Sequence, residues 1–297
     1  MTAVRRVHHV GVVVRSLEES YAFFRDALGL PLITEALIEE QGVKAALLDL
    51  GNSLLELLEP VAPDTGIARY LEGRGEGLHH VCLEVDDIAA ALAGLKAKEV
   101  PLVDEAPREG LTGTIAFLHP SALCGVLAEL VDAPPAYSGS GNAGDVVRRL
   151  DHLVLAVQEL APALDAWVHA FGLRPEPPYR PPGSHLELAR LPVGGPDAPF
   201  LELVAVAGEP ALPARRGGSE SEGTHRVARF LAERGEGMFS LSVEVADLDA
   251  AVRDLQAKGV ALSGPEPGVW PGTRLARIPR ASAHGVAVQL IERTTTS

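Results

Sequence analysis

The chain has 297 residues, 46% of them apolar, with a formal net charge of −14 and two cysteines, Cys82 and Cys124. That length allows two cored domains, the acidic balance argues against nucleic acid, which rewards clustered Lys and Arg, and two cysteines exclude a disulfide scaffold. No apolar run is long enough to span a membrane, and the start, Met1-Thr2-Ala3-Val4-Arg5-Arg6, lacks the apolar stretch of a secretory signal, so a soluble cytoplasmic protein with a small-molecule partner is expected.

Residues 7–14 alternate as a strand, with His9, Gly11 and Val13 on one face and Val10, Val12 and Val14 on the other. Ser16 with Glu19 forms a capping box opening a helix that Gly29 closes. Short strands follow near 45–48 and 54–58, with Gly51-Asn52 as the turn between them. The order then repeats: a strand at 79–85, a helix from Asp87 to about Lys98, and strands near 114–118 and 126–131. Residues 132–145, with Pro134-Pro135 and Ser138-Gly139-Ser140-Gly141-Asn142, read as a linker.

Beyond it the pattern starts again. His9-Val10 matches His152-Leu153 and Leu28-Gly29-Leu30 matches Phe171-Gly172-Leu173, both at an offset of 143. Arg74-Gly75-Glu76-Gly77 returns as Arg234-Gly235-Glu236-Gly237 at an offset of 160, as does the run from Glu84 to Val100, which becomes Glu244 to Val260. The extra length of the second copy fits insertions around 192–199 and 210–223. The expectation is an α+β fold of four βαβββ modules forming cupped mixed sheets with helices outside. Its divisions would be a first domain over 1–132, a linker over 133–148, and a degenerate homologous domain over 149–297.

The dipeptide His-His occurs at His8-His9 and His79-His80, and each copy is followed by a lone Glu in an apolar strand: Glu56 in Leu54-Leu55-Glu56-Leu57-Leu58 and Glu129 in Val126-Leu127-Ala128-Glu129-Leu130. The histidines recur after 71 positions and the glutamates after 73. Alternation places His9, Glu56, His80 and Glu129 on the side away from the helices, where a charged Glu is costly unless paired or bound to a cation. Two imidazoles and two carboxylates suit a divalent ion such as Co, Ni, Mn, Zn or Fe. His8 and His79 would then face the helices, Cys82 would pack as a small apolar residue, and the Arg-Gly-Glu-Gly runs would serve as turns.

These spacings resemble the vicinal oxygen chelate superfamily, which includes glyoxalase I, extradiol dioxygenases, bleomycin-resistance proteins and methylmalonyl-CoA epimerase. Residues 5–132 are most similar to the epimerase branch, through Glu40-Gln41-Gly42-Val43, the Glu56 strand with Glu59-Pro60, Gly77-Leu78-His79-His80, Val85-Asp86-Asp87-Ile88, Phe117-Leu118-His119-Pro120 and the Glu129 strand. The resemblance implies His9, Glu56, His80 and Glu129 as metal ligands, with Glu129 also the proton-transfer base. It implies epimerisation of a small carbonyl acid or its CoA thioester through an enolate that the metal stabilises. The branch places a second Glu where this chain has Ala45; Asp49 and Gln41 share its strand parity. Its lysines are replaced by Leu111-Thr112-Gly113-Thr114 and Ser121. A glyoxalase-type lyase, an extradiol-type dioxygenase and a drug-binding resistance-type protein are the alternatives. In the second half the matching positions are His152, Glu202, Ser240 and Gln289, too few good ligands for a tightly held metal. That half would stand in for the second subunit of a dimer, leaving a monomer or a homodimer.

Overall fold

The computed structural model describes residues 4–134, 137, 139–141, 143–195, 198–208 and 219–294. Strand β1 (Val4–Val13) leads into helix α1 (Leu17–Tyr21), whose N-cap Ser16 accepts from the Glu19 N–H at 3.3 Å. The helix expected to run to Gly29 continues as a π-helical stretch, Ala22–Ala27. Strands β2 (Leu32–Ile38), β3 (Val43–Asp49) and β4 (Leu54–Pro60) complete the first module. The connection to the second contains helix α2 (Gly66–Arg74), which periodicity does not reveal because no residue of it is fully buried. Then come β5 (Gly77–Val85), α3 (Ile88–Ala97), β6 (Arg108–Gly110), β7 (Gly113–Leu118) and β8 (Ala128–Asp132).

These eight strands form one sheet in the order β2-β3-β4-β1-β5-β8-β7-β6. The first strands of the two modules, β1 and β5, pair antiparallel at its centre, flanked in parallel by the last strands, β4 and β8. Strand alternation sorts the side chains. Val10, Val12, Leu55, Leu57, Val81, Leu83, Ala128 and Leu130 are buried against α1 and α3 in one apolar core. On the opposite face lie Val13, Val43, Ala45 and Leu58, packed under Ile67 and Leu71 of α2, and Cys82, Ile115 and Val131.

The second half repeats the plan. It comprises β9 (Arg149–Ala156), α4 (Leu160–Phe171), β10 (Leu186–Pro192), β11 (Phe200–Val206), α5 (Ser219–Arg234), β12 (Gly237–Glu244), α6 (Leu248–Ala257), β13 (Ser263–Pro267), β14 (Thr273–Ile278) and β15 (Val288–Arg293). Its sheet runs β10-β11-β9-β12-β15-β14-β13. Among the described residues the edge strand of this module is reduced to a single bridge between Tyr179 and Leu188. The insertion expected over 210–223 lies outside the described residues as far as 218, as do Pro135, Ser138 and Asn142 of the expected linker.

The two halves share one apolar cluster, which runs from Phe24 and Leu92 to the fully buried Trp167 and on to Leu255. What reads as a linker is held by specific contacts. Asn52 exchanges two 3.0 Å hydrogen bonds with the Leu150 main chain, the Gly141 N–H donates to the Gly51 carbonyl at 2.8 Å, and Ala143 and Val147 are buried. At the opposite end the repeated Arg-Gly-Glu-Gly runs do more than turn the chain. The loop before β8 brings Gly125 against the Glu236 carbonyl, and the matching loop before β15 brings Gly285 against that of Glu76. No helix among the described residues is long and apolar enough to cross a membrane.

Candidate functional site

Because β4-β1-β5-β8 are neighbours, His9, Glu56, His80 and Glu129 arrive from four adjacent strands. The register sets Gly11 of β1 opposite both His80 and Glu56, and Cys82 opposite both His9 and Glu129. Gly11 is required by close approach. A Cβ there would lie 2.1 Å from Cε1 of His80, so the imidazole lies across a position that tolerates no side chain.

The four groups meet. Glu129 Oε2 is 3.0 Å from His9 Nε2 and 3.1 Å from His80 Nε2, Glu56 Oε2 is 3.6 and 3.4 Å from the same atoms, and the two Nε2 atoms are 3.1 Å apart. All four residues are buried. Burial works to lower the His80 pKa, but hydrogen bonds to Glu129 and Glu56 outweigh it and push the imidazole up to about 9. The Glu129 carboxyl is raised by burial, but His80 and His9 outweigh that and hold it well below the usual carboxylate range. Two imidazole nitrogens facing each other at 3.1 Å cannot both carry a proton between them. The donor chemistry, two imidazoles and two carboxylates, fits a divalent cation: His9, Glu56 and His80 offer ligand atoms that all lie within 4.8 Å of one another, and Glu129 Oε2 lies against both imidazoles.

His8 and His79 do not behave as strand alternation suggests. Between β1 and β5 the register slips at Val7/His9 and at Gly11/Val12, leaving His8 and His79 as the extra residues of two β-bulges. A bulge re-aims a side chain. His8 Nδ1 comes to 2.9 Å from His9 Nδ1, and His79 Nδ1 to 3.0 Å from His80 Nδ1. Burial depresses the pKa of His8 to about 2 and of His79 to about 3, so both stay neutral and can accept from the Nδ1–H of their neighbours. With a cation at the centre, that bond would hold the proton of His9 and His80 on Nδ1 and leave the Nε2 lone pairs for the ion. The duplicated His-His dipeptide is the signal that carries this pairing, and its first member positions the second. His79→Phe is expected to weaken divalent-metal affinity by roughly 10–100-fold, with a titration against a competing chelator as the measurement; unchanged affinity would remove the positioning role.

The site opens into a cavity of about 660 Å³ lined by Ile38, Gln41, Val43, Leu58, Leu111 and Phe117 among others. Glu40, Asp64 and Glu109 also reach it, and Arg108 is its one lining arginine. Ala45 leaves the β3 wall without a carboxylate. Asp49 does not reach the cavity: its carboxylate accepts from the Gly51 N–H at 2.7 Å and from the Ser140 N–H; Gln41 lies on the cavity wall. Cys82 is fully buried against Ile115 and Val131, and burial pushes its thiol well above the ordinary range. His119 caps a 3₁₀ turn, its Nδ1 accepting from Ser121 N–H at 3.2 Å.

In the second half every matching group is engaged elsewhere. His152 Nδ1 is 2.5 Å from Asp151, the bulge residue that replaces His8, and its ring stacks on Phe200. The Trp270 indole donates to Glu202, and Gln289 donates to Ser240 at 2.9 Å. The space left around them is about 20 Å³. Arg293 grips Asp151 with two hydrogen bonds of 2.7 and 2.8 Å. Burial raises the Asp151 carboxyl, but His152 and Arg293 outweigh it and hold it well below the usual range. A carboxyl depressed in the folded state adds stability above its unfolded pKa near 4, and that is lost as pH falls through the unfolded value toward the folded one. Asp151→Asn should therefore cost roughly 2–4 kcal/mol at pH 7 and detectably less at pH 3, because the contribution shrinks progressively below the unfolded pKa. Urea midpoints at the two pH values test this, and an equal loss at both would exclude an ionic role.

The sequence profile of the Glyoxalase/Bleomycin resistance protein/Dioxygenase superfamily matches residues 8–117 and again 151–276. The chain belongs to that superfamily and carries its unit twice. The first half matches methylmalonyl-CoA epimerases. It is 40% identical over 130 residues to the mitochondrial methylmalonyl-CoA epimerase of Bos taurus, a match spanning 43% of this chain and 74% of the relative. It is 35% identical over 130 residues to the ethylmalonyl-CoA/methylmalonyl-CoA epimerase of Cereibacter sphaeroides, spanning 43% of this chain and 97% of that one. Over the whole chain the fold is that of a mutant of 4-hydroxymandelate synthase from Streptomyces coelicolor, with a TM-score of 0.71, 18% identity, and coverage of 98% of this chain and 93% of the other.

Proposed function

We propose that the protein is a metal-dependent enzyme that moves a proton on the carbon next to a carbonyl, an epimerase or isomerase acting on a small carbonyl acid or its CoA thioester. One observation carries this reading: Glu56, His80 and Glu129 line the large first-half cavity, and His9 Nε2 lies within 3.6 Å of both carboxylates. The similarity of the first half to epimerases of malonyl-CoA derivatives supports the substrate class.

In this reading the four side chains hold a divalent ion. When bound, that ion supplies Lewis-acid polarisation of a carbonyl oxygen. The chain's own residues do the rest. His8 and His79 fix the tautomers of His9 and His80. Glu129, on one of the strands most similar to the epimerase branch, takes the proton at its carboxylate. Val43, Leu58, Leu111 and Phe117 keep the cavity wall apolar, which strengthens every charge interaction at its floor. The wall near Ala45 offers no second carboxylate from β3, so the proton that epimerisation returns to the opposite face must come from a rim carboxylate, Glu40, Asp64 or Glu109. The lyase is the second reading, since the same four donors and a one-face base also suit it.

The test is proton exchange into methylmalonyl-CoA in heavy water with metal-loaded protein. Exchange at the acidic carbon with inversion is expected, a rim carboxylate serving the opposite face. Exchange without inversion would overturn the epimerase reading and leave Glu129 as a base on one face only. Absence of exchange with metal bound would overturn the thioester reading and favour the lyase.

A further inference from the structure

A second cavity, of about 250 Å³, lies where the two halves meet. Its frame follows the internal duplication: Arg74 with Arg234, Gly77 with Gly237 and Gly125 with Gly285 all line it, each pair separated by the same 160 positions. The charge does not follow that symmetry. Arg280 enters the cleft at the position that Pro120 holds in the first half, so three guanidiniums surround one small space. In a chain with a net charge of −14 this is the reverse of the average surface.

None of the three is ion-paired among the described residues. Arg74 and Arg234 make no hydrogen bond there, and Arg280 reaches only the Phe239 carbonyl, at 3.4 Å, and the face of Phe230. One carboxylate, Glu236, shares the cleft with the three arginines; among the described residues it forms no ion pair with any of them and accepts from the Gln158 N–H at 2.8 Å, and Glu233 reaches Arg280 only through the field. Burial, with Arg234 beside it, lowers the Arg280 pKa to about 10. Like charges gathered in a half-enclosed cleft repel unless an anion joins them.

We propose that the cleft between the halves binds an oxyanion of the phosphate class, clamped by the guanidiniums of Arg74, Arg234 and Arg280. Planar guanidiniums present paired N–H donors that match phosphate oxygens. The cleft adjoins the first cavity, because His79 and Leu127 line both. The first cavity itself is poor ground for an anion, with Glu40, Asp64 and Glu109 against Arg108 alone. A substrate whose acyl end sits at His80 therefore finds its cationic handle at the junction, and the second half contributes two of the three arginines. This last step rests on the proposed function; the anion site does not.

Calorimetric titration of the full-length protein with inorganic pyrophosphate tests the site. The Arg74→Gln/Arg234→Gln double variant breaks no hydrogen bond among the described residues and should lose about tenfold or more in affinity. Glu129→Gln should bind pyrophosphate like the unmodified protein. Equal binding by the double variant, or no binding by the unmodified protein, would overturn the proposal, as would loss of binding in Glu129→Gln, which would place the anion in the first cavity. A kinetic arm identifies the source of the anion. If the double variant raises KM for a CoA thioester, with kcat unchanged and KM for the phosphate-free N-acetylcysteamine thioester unmoved, the anion is the substrate's tail. If pyrophosphate binding is arginine-dependent and neither KM moves, the site serves a free anion.

Discussion

Glu129→Gln is expected to reduce proton exchange, per bound metal, by roughly 10²–10⁴-fold, while Glu56→Gln retains most of it. The difference follows from the proposed roles, Glu129 as ligand and base and Glu56 as ligand alone. Glu129 Oε2 sits 3.0 and 3.1 Å from the two imidazoles, whereas Glu56 Oε2 stands off at 3.6 and 3.4 Å. Glutamine keeps the shape and one acceptor oxygen but cannot receive a proton. At position 56 that costs part of the charge balance for a divalent ion; at position 129 it removes the base. Metal content by elemental analysis, measured beside exchange, separates loss of the ion from loss of the base. Comparable exchange from Glu129→Gln, or a larger loss from Glu56→Gln, would reassign the base.

Gly285→Ala should be among the most destabilising single methyl additions in the chain. The Gly285 φ is +76°, a conformation disfavoured for residues with a Cβ, and that Cβ would stand 1.9 Å from the Glu76 carbonyl oxygen across the junction. The left-handed conformation costs about 1–2 kcal/mol. The overlap is with backbone and cannot be relieved by a rotamer, adding about 1–3 kcal/mol. For a chain of this size the sum lowers Tm by on the order of 10 °C. Gly29→Ala is the control: its φ is +77° but nothing lies within 4 Å of the added methyl, so it should show the backbone cost alone. Equal Tm losses in the two variants would mean that the halves do not rely on this contact. Gly125, whose Cβ would meet the Glu236 carbonyl at 2.2 Å, should behave like Gly285.

The duplicated patterns determined the repeat architecture, the strand faces and the four residues that converge in the first cavity. They could do so because these properties are local and periodic: a side chain two residues along a strand returns to the same face, and a matched spacing survives whatever the loops do. The same matching picked out His152, Glu202, Ser240 and Gln289, and the structure puts them at corresponding places in the second sheet. The tertiary structure alone decided what local period cannot carry. Two bulges turned His8 and His79 from helix-facing residues into the partners of His9 and His80, because a bulge breaks the period of two on which the face assignment rests. Helix α2 escaped notice because its apolar residues are only partly covered. Trp270 closes on Glu202 across 68 residues, leaving the second site with almost no space. The apparent linker is fastened through Asn52 and Leu150, 98 positions apart. The arginines of the junction lie on three separate segments, and only the docking of one half on the other, through Gly125 and Gly285, brings them around a single cleft.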